Sequence, residues 1–243
     1  MPNGIVIIPT YNEKENIERI IKNVFSLQRN FHILVVDDNS PDGTAAIVKS
    51  LQTVFDNRLF LIERTGKAGL GTAYIRGFKW ILEKEYNYIF QMDADFSHNP
   101  NDLIRLYNAC KKDGADVAIG SRYKTGVNVV NWPMSRVLLS WMASKYVRLI
   151  TAMPIEDTTA GFVCYRRAVL ERIHLDKIKF VGYAFQIEMK FKAYLAKFNI
   201  VEVPVIFTDR TRGTSKMSGS IIWEAVFGVV KMKFNSLFNK MTI

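Results

Sequence analysis

Asp93 and Asp95 close the apolar run Tyr88 to Met92, two carboxylates spaced two residues apart. On an extended chain such residues project to the same side. Held together without a cation they repel each other. A hard divalent ion removes that repulsion. Mg2+ and Mn2+ take oxygen ligands, commonly one or two carboxylates with substrate phosphates completing the shell. The pair therefore suits a diphosphate. Two other polar clusters end apolar runs: Pro9-Thr10-Tyr11-Asn12-Glu13, and Asp37-Asp38-Asn39-Ser40-Pro41-Asp42-Gly43. Asn12, Ser40 and Asp42 are equally good turn formers and helix caps. A lone Asp at a strand end reads the same way, so it is the pairing of Asp93 with Asp95 that points to a metal.

These clusters need a scaffold that brings them together, and the hydrophobic pattern supplies one. Gly4 to Ile8, Ile33 to Val36, Leu59 to Ile62, Tyr88 to Met92 and Val117 to Ile119 read as buried strands. Between them, Asn16 to Leu27, Gly43 to Leu51, Thr72 to Lys84 and Asn101 to Lys112 carry helical periods. Strands alternating with helices predict an α/β fold, a mainly parallel sheet sandwiched by helices. Ligands bind such sheets outside the carboxyl ends of the strands, so the three clusters face one crevice. Beyond Gly126 the pattern changes to helices over Ser135 to Ile150 and Phe185 to Lys197, and short strands at Phe162 to Tyr165 and Val201 to Phe207. Pro204 marks the last as an edge strand. A polar stretch, Thr208 to Gly219, leads to an amphipathic C-terminal helix from Ile221. No linker or repeat interrupts the chain. The expected organisation is a catalytic domain over 1–218, with 219–243 as a C-terminal amphipathic helix belonging to the same fold.

Composition sets the bounds. Over 243 residues the chain is 49% hydrophobic with a formal net charge of +10, enough apolar content for one sizeable core and an excess suited to an anionic partner. Cys110 and Cys164 have no metal-type spacing and suggest no disulfide framework. The sequence starts directly in a strand, leaving no room for a signal peptide. No apolar run approaches the roughly 20 residues of a bilayer span. His32, His98 and His174 read as scattered surface or loop residues. Gly69-Leu70-Gly71 is a weak phosphate-loop signal that equally well opens the next helix. No nucleophile elbow, Walker loop or dinucleotide fingerprint is present.

The clusters at Pro9 to Glu13, Asp37 to Thr44 and Asp93 to Asp95 resemble the signatures of inverting glycosyltransferases of family 2. Further motifs are similar to the polyprenyl-phosphate (dolichyl-phosphate) mannosyltransferase branch of that family. They are Gly69 to Tyr74, Gly120-Ser121-Arg122-Tyr123, Gly182-Tyr183-Ala184-Phe185-Gln186-Ile187-Glu188-Met189, and Asp209-Arg210 through Ser215-Lys216. The ordered set spans about Ile5 to Lys216. The resemblance implies a GT-A fold and metal-dependent transfer of mannose, with inversion, from GDP-mannose to a polyprenyl phosphate. It places Pro9, Tyr11, Glu13, Val36 and Asp38 around the base and ribose. Asp93, Ala94 and Asp95 would form the metal and diphosphate site, with Asp93 and Asp95 as ligands to Mg2+ or Mn2+. Arg122, Arg210 and Lys216 would contact phosphates, the last two on a closing loop. Arg136 and Ser140 would meet the acceptor phosphate. Asp95, Arg122 and Arg136 are the residues expected to carry catalysis. The chain departs from the family in having Ser97 where some members carry a third metal ligand, and in lacking the transmembrane tail many members have.

A phosphate acceptor is already an anion and needs alignment rather than a base, whereas a hydroxyl acceptor needs a carboxylate such as Asp157 or Glu188. Asp157 otherwise reads as a turn or cap, and Glu188 as a structural partner for an Arg. Ser135 to Ile150 and Ile221 to Lys240 mix large apolar side chains with Lys and Arg. That mixture suits a membrane interface, with Trp223 near the start of the second stretch. The second could also pack on a small membrane-protein partner. The expected location is peripheral, on the cytoplasmic face of a membrane. The competing readings are a family 2 transferase using UDP-glucose or another nucleotide-sugar, a nucleotidylyltransferase, and a nucleic-acid-binding module. The nucleotidylyltransferase lacks its Gly-rich basic loop after the first strand. Nucleic-acid binding has only the positive charge behind it, so no nucleic-acid partner is expected.

Overall fold

The computed structural model describes residues 3–182, 184–209 and 219–238. Its strands are β1 (Gly4–Thr10), β2 (Phe31–Asp37), β3 (Leu59–Glu63), β4 (Tyr88–Gln91), β5 (Val117–Ser121), β6 (Val129–Val130), β7 (Val163–Arg166), β8 (Ile200–Pro204) and β9 (Phe207–Thr208). The helices are α1 (Ile17–Phe25), α2 (Thr44–Gln52), α3 (Leu70–Leu82), α4 (Asp102–Lys111), α5 (Met134–Thr151), α6 (Arg167–Arg172), α7 (Ala184–Leu195) and α8 (Gly219–Leu237). The main sheet has the order β3-β2-β1-β4-β7-β5-β8, and β6 and β9 form a small separate ladder.

Continuous apolar runs in β1 and β2 follow from burial on both faces of the sheet. Ile5, Ile7, Leu34 and Val36 point into a core shared with α3, α6, α7 and α8. Val6, Ile8, Ile33 and Val35 point the opposite way, into a core built with α1, α2 and α4. Each such fully buried side chain contributes about 1.5–3 kcal/mol. Pro9 does not end β1, since it pairs in register with Val36. Met92 N donates to Ile7 O at 3.2 Å, so Ile7 presents its backbone to β4. Two residues on, Pro9 faces the same side but past the end of the β4 ladder, where its missing N–H leaves no ladder bond unmade.

Strand order reverses across β1, which has β2 on one side and β4 on the other, both parallel to it. The crevice at that reversal lies outside the carboxyl ends of the strands. β7 is the exception to parallel pairing, running antiparallel to both neighbours, β4 and β5. Its direction brings the segment before it, Thr159 to Gly161, to the edge where β4 and β5 end. Pro204 does lie at the end of an edge strand, β8. The strand expected to continue to Phe207 breaks there, and Phe207 and Thr208 instead pair with Val129 and Val130.

Gly69, with φ of 98°, precedes α3, and Gly71 packs α3 on α7, where a Cβ would come within 2.8 Å of Phe185 Cγ. The glycine pair opens and seats a helix. α8 docks on α5 and α7: Val229 and Met232 are buried in the core, and Tyr146 Oη donates to Val226 O at 2.9 Å. Among the described residues no helix is long and apolar enough to cross a membrane.

Candidate active site

The loops after β1 and β2 are fastened to each other. Asp37, fully buried, accepts from Thr10 Oγ1 at 2.7 Å, Ser40 N at 2.9 Å and Ser40 Oγ at 2.7 Å. Ser40 Oγ accepts from Asn12 N at 3.0 Å, and Asp42 Oδ2 from Lys14 N at 3.0 Å. Asn12, Ser40 and Asp42 are thus turn formers. The fastening holds Tyr11, Glu13 and Asp38 at the crevice. Buried Asp38 pairs with Arg64 Nε at 3.3 Å; burial raises its pKa, and Arg64 partly offsets this. Arg64 Nη2 also donates to Thr72 Oγ1 at 2.8 Å, and the Lys67 ammonium lies 5.0 Å from the Tyr11 ring centroid. Arg64 and Lys67 follow β3 in a polar turn, Glu63-Arg64-Thr65-Gly66-Lys67, whose basic residues carry no acidic pair to mark them in the sequence. Pro9 is half-buried at the strand end, and Val36 is wholly buried against α3, so Val36 has no side chain to present to a nucleotide.

Asp93 and Asp95 open into one cavity of about 390 Å³. These two line it with Ser97, His98, Arg122, Arg136 and Ser140 and with the apolar Leu139, Met142, Ala143, Tyr146, Val147 and Val226; along α5 the lining passes from Arg136 and Ser140 at one end to Ala143, Tyr146 and Val147 at the other. Ala94, between the two carboxylates, is buried in the core. Ser97 orients Asp95, donating to Asp95 Oδ1 from its amide at 3.1 Å and its hydroxyl at 2.6 Å. Tyr74 Oη lies 3.5 Å from Asp93 Oδ1; burial, then the Asp93 charge, pushes the phenol well above its ordinary pKa, so it stays a proton donor. No group of three His, Cys, Asp or Glu capable of holding a metal occurs among the described residues. Two carboxylates on a shared cavity fit a hard divalent cation that draws its remaining ligands from a diphosphate and water.

The arginines are placed by different partners. Arg122, at the end of β5, donates to Asp157 through Nε at 2.7 Å and Nη2 at 2.6 Å, and to Thr159 Oγ1 at 2.8 Å. Asp157 is fully buried; burial raises its pKa, but Arg122 outweighs this and holds it below the usual carboxylate range. It is therefore a fixed counter-ion, not the turn former or exposed base that its sequence context suggested. Lys190, fully buried beneath, donates to Ala160 O at 2.6 Å and Gln186 O at 3.2 Å, and burial lowers its pKa to about 7. Arg136 and Ser140 are one helical turn apart on α5, on the cavity side. Trp132 lies between two guanidinium groups, with Arg136 Cζ 4.1 Å and Arg122 Cζ 5.5 Å from its ring centroid.

Glu188 accepts from the backbone amides of Lys179 at 2.9 Å and Phe180 at 3.1 Å. It is structural, though its partners are amides rather than an Arg, and it lies off the cavity of Asp93. Two histidines are not surface residues. His32 is buried against Tyr86, and His98 stacks on Phe162 at 4.8 Å, where burial holds it neutral with a pKa lowered to about 4. Arg210 and Lys216 lie outside the described residues, as does Tyr183 of the α7 motif.

A switch-point crevice with an Asp pair, flanked by arginines, on a mainly parallel sheet defines a glycosyltransferase of the GT-A type. The chain belongs to glycosyl transferase family 2, whose family model matches residues 5–174. It is 49% identical over 227 residues to polyprenol monophosphomannose synthase of Mycolicibacterium smegmatis, covering 93% of this chain and 85% of that protein. It is 43% identical to undecaprenyl-phosphate mannosyltransferase of Micrococcus luteus, covering 93% and 92%. In fold it is similar to glucosyl-3-phosphoglycerate synthase of Mycobacterium tuberculosis, at 13% identity and a TM-score of 0.71, covering 96% of this chain and 80% of that one. It is also similar to a mannosyltransferase of Pyrobaculum calidifontis solved with GDP-mannose and Mn2+, at 17% identity and a TM-score of 0.61, covering 98% and 64%.

Proposed function

We propose that this glycosyltransferase moves mannose from GDP-mannose to a polyprenyl phosphate, with inversion at the anomeric carbon and with a divalent cation, Mg2+ or Mn2+. The names of its relatives support both mannose and a polyprenyl acceptor. The observation that carries the reading is the lining of the cavity. It joins the carboxylates and arginines a diphosphate and a phosphate require to apolar side chains of α5 and α8.

Charge supports a phosphate acceptor over a hydroxyl. Asp93 and Asp95 are the acidic residues lining the cavity among those described. Asp157 is committed to Arg122 and Glu188 to backbone amides, so neither serves as a base. An acceptor that arrives as an anion needs none. Its oxygen attacks the anomeric carbon from the face opposite the diphosphate, and the nucleoside diphosphate leaves with the bonding electrons. Asp93 and Asp95 would hold the cation, which offsets charge on the departing diphosphate. Arg136, braced by Trp132, grips and aligns the acceptor phosphate, with Arg122 and Ser140 beside it. Tyr11, Lys67, Asp38 and Arg64 shape the base and ribose pocket, with Glu13 and the backbone of Pro9 and Val36 nearby. Arg210 and Lys216, outside the described residues, are assigned the remaining phosphate contacts.

The membrane side follows from the two amphipathic helices. On α5, Met134, Leu138, Trp141, Met142 and Leu149 are exposed, and on α8, Phe227, Val230, Phe234 and Leu237. Lys145, Arg148, Lys231 and Lys233 flank these stripes. Such faces suit the boundary of a bilayer with anionic headgroups, peripheral on its cytoplasmic side. A polyprenyl chain entering between them reaches Asp93 through the apolar part of the cavity. A small membrane-protein partner on α8 is the second occupant such a face would take. The test is transfer of labelled sugar into extracted lipid from GDP-mannose or UDP-glucose, with and without chelator. Chelator-sensitive mannose in the lipid supports the reading; glucose alone corrects the donor.

A further inference from the structure

Gln186, in the first turn of α7, is 2% exposed, and among the described residues neither its amide nitrogen nor its amide oxygen has a hydrogen-bond partner. Leaving buried donors and acceptors unmatched is destabilising. The side chain nonetheless lines the same cavity as Asp93 and Asp95. Its backbone is fixed there: Lys190 Nζ bridges Gln186 O and Ala160 O at 3.2 and 2.6 Å. Beside it stands Gly161, where an added Cβ would lie 3.7 Å from Gln186 Nε2.

The chemistry of the amide selects the ligand group. It presents N–H donors and a carbonyl acceptor side by side and carries no charge. A phosphate takes donors only and is better served by the nearby Arg122 and Arg136. The apolar lining of the cavity has no use for an amide. Vicinal hydroxyls are both donors and acceptors and match it as a pair. We propose that Gln186 binds the hydroxyls of the transferred hexose and sets which sugar the enzyme accepts; this rests on the nucleotide-sugar reading above. A site that hydrogen-bonds a hydroxyl discriminates sharply against a sugar that places it elsewhere, because the buried amide is then left unmatched.

The experiment is calorimetric titration of the full chain, in Mn2+, with GDP, GDP-mannose and its C2 epimer GDP-glucose. Wild type is compared with Gln186→Leu and Gln186→Met, which keep the side-chain size. Wild type should bind GDP-mannose more tightly than GDP. Both variants should lose roughly 10-fold of that margin, and with it the preference over GDP-glucose, at unchanged GDP affinity. Their melting temperatures should be equal to or above wild type, since the unmatched amide is gone. A margin retained in the variants overturns the proposal. So does equal weakening of GDP and GDP-mannose, or a wild type without a margin for any nucleotide-sugar. Repeating the titrations with UDP and UDP-glucose separates the two readings. A margin found only for the uridine pair corrects the donor, and its loss in the variants still supports Gln186 as the hexose contact.

Discussion

Arg136 Nη1 donates to Asp209 Oδ1 at 2.8 Å, tying the cavity face of α5 to the residue from which the chain enters the 210–218 stretch. The guanidinium carbon also lies 4.1 Å from the Trp132 ring centroid, a second contact that holds its position. Arg136→Lys keeps the charge but loses the fork and the stacking surface. It should raise KM for polyprenyl phosphate about 10-fold, the worth of one lost charge-assisted bond, while KM for the nucleotide-sugar stays within twofold. Steady-state kinetics with each substrate varied in turn checks this; an equal rise in both would remove Arg136 from the acceptor site.

The Arg122–Asp157 pair makes a prediction about stability and pH. Its side chains are 10% and 0% exposed, and breaking such a pair by removing one partner costs about 3–5 kcal/mol. Asp157→Asn should lower stability by that order in urea unfolding at pH 7. Arg122 holds the folded-state pKa of Asp157 below the ordinary value near 3.8. The stabilisation is thus fully present above that ordinary value and is lost as pH falls through the folded one. Asp157 itself adds no pH dependence to the gap between wild type and Asp157→Asn above about pH 5, and its share shrinks below about pH 4; because its charge also raises the pKa of Lys190, about 7 in the fold, the gap should widen as pH falls through neutral. A gap that narrows already at neutral pH would contradict this assignment.

Asp95 and Ser97 should separate by degree. Asp95→Ala removes a proposed metal ligand and should abolish chelator-sensitive turnover. Ser97→Ala removes the 2.6 Å hydroxyl bond to Asp95 but leaves the backbone one, and should lower kcat about 10-fold. Raising Mn2+ should recover part of the Ser97→Ala loss and none of the Asp95→Ala loss. Full activity in Asp95→Ala would take the pair out of the mechanism.

Vesicle sedimentation tests the membrane face. Leu138→Asp and Phe234→Asp place charge on side chains that are 51% and 56% exposed, so the fold should be kept. Together they should reduce binding to anionic vesicles by at least 10-fold. Turnover of a short, water-soluble isoprenyl phosphate should stay near wild type. Unchanged vesicle binding would assign the two stripes to something other than lipid.

Much of this arrangement was legible in the sequence, for identifiable reasons. β1, β2 and β4 end in polar clusters, and a parallel sheet has to gather such ends, so the place of these clusters along one edge of the sheet followed from pattern alone. The antiparallel course of β7 did not: Val163, Cys164 and Tyr165 are all buried, and an apolar run has no direction. Since that course delivers Thr159 to Gly161 to the cavity, part of the site was hidden with it. Asp157 looked like a turn residue because its partner, Arg122, is 35 positions away. His98 looked exposed because a polar neighbourhood in sequence says nothing of Phe162 stacked above it. Gln186 lay inside a motif without a role, and only its burial without a partner distinguishes it.

The central claim is that the acceptor enters as a phosphate anion, and the most direct measurement compares two lipids of equal chain length. Purified protein, GDP-mannose and Mn2+ are incubated with vesicles containing either polyprenyl phosphate or the corresponding free polyprenol. Mannosyl lipid is then quantified and its anomeric configuration read by NMR. The expected product comes from the phosphate only, inverted at the anomeric carbon, since among the described residues no carboxylate is placed to deprotonate a hydroxyl. Comparable transfer to the free alcohol, or retention of configuration, would contradict it.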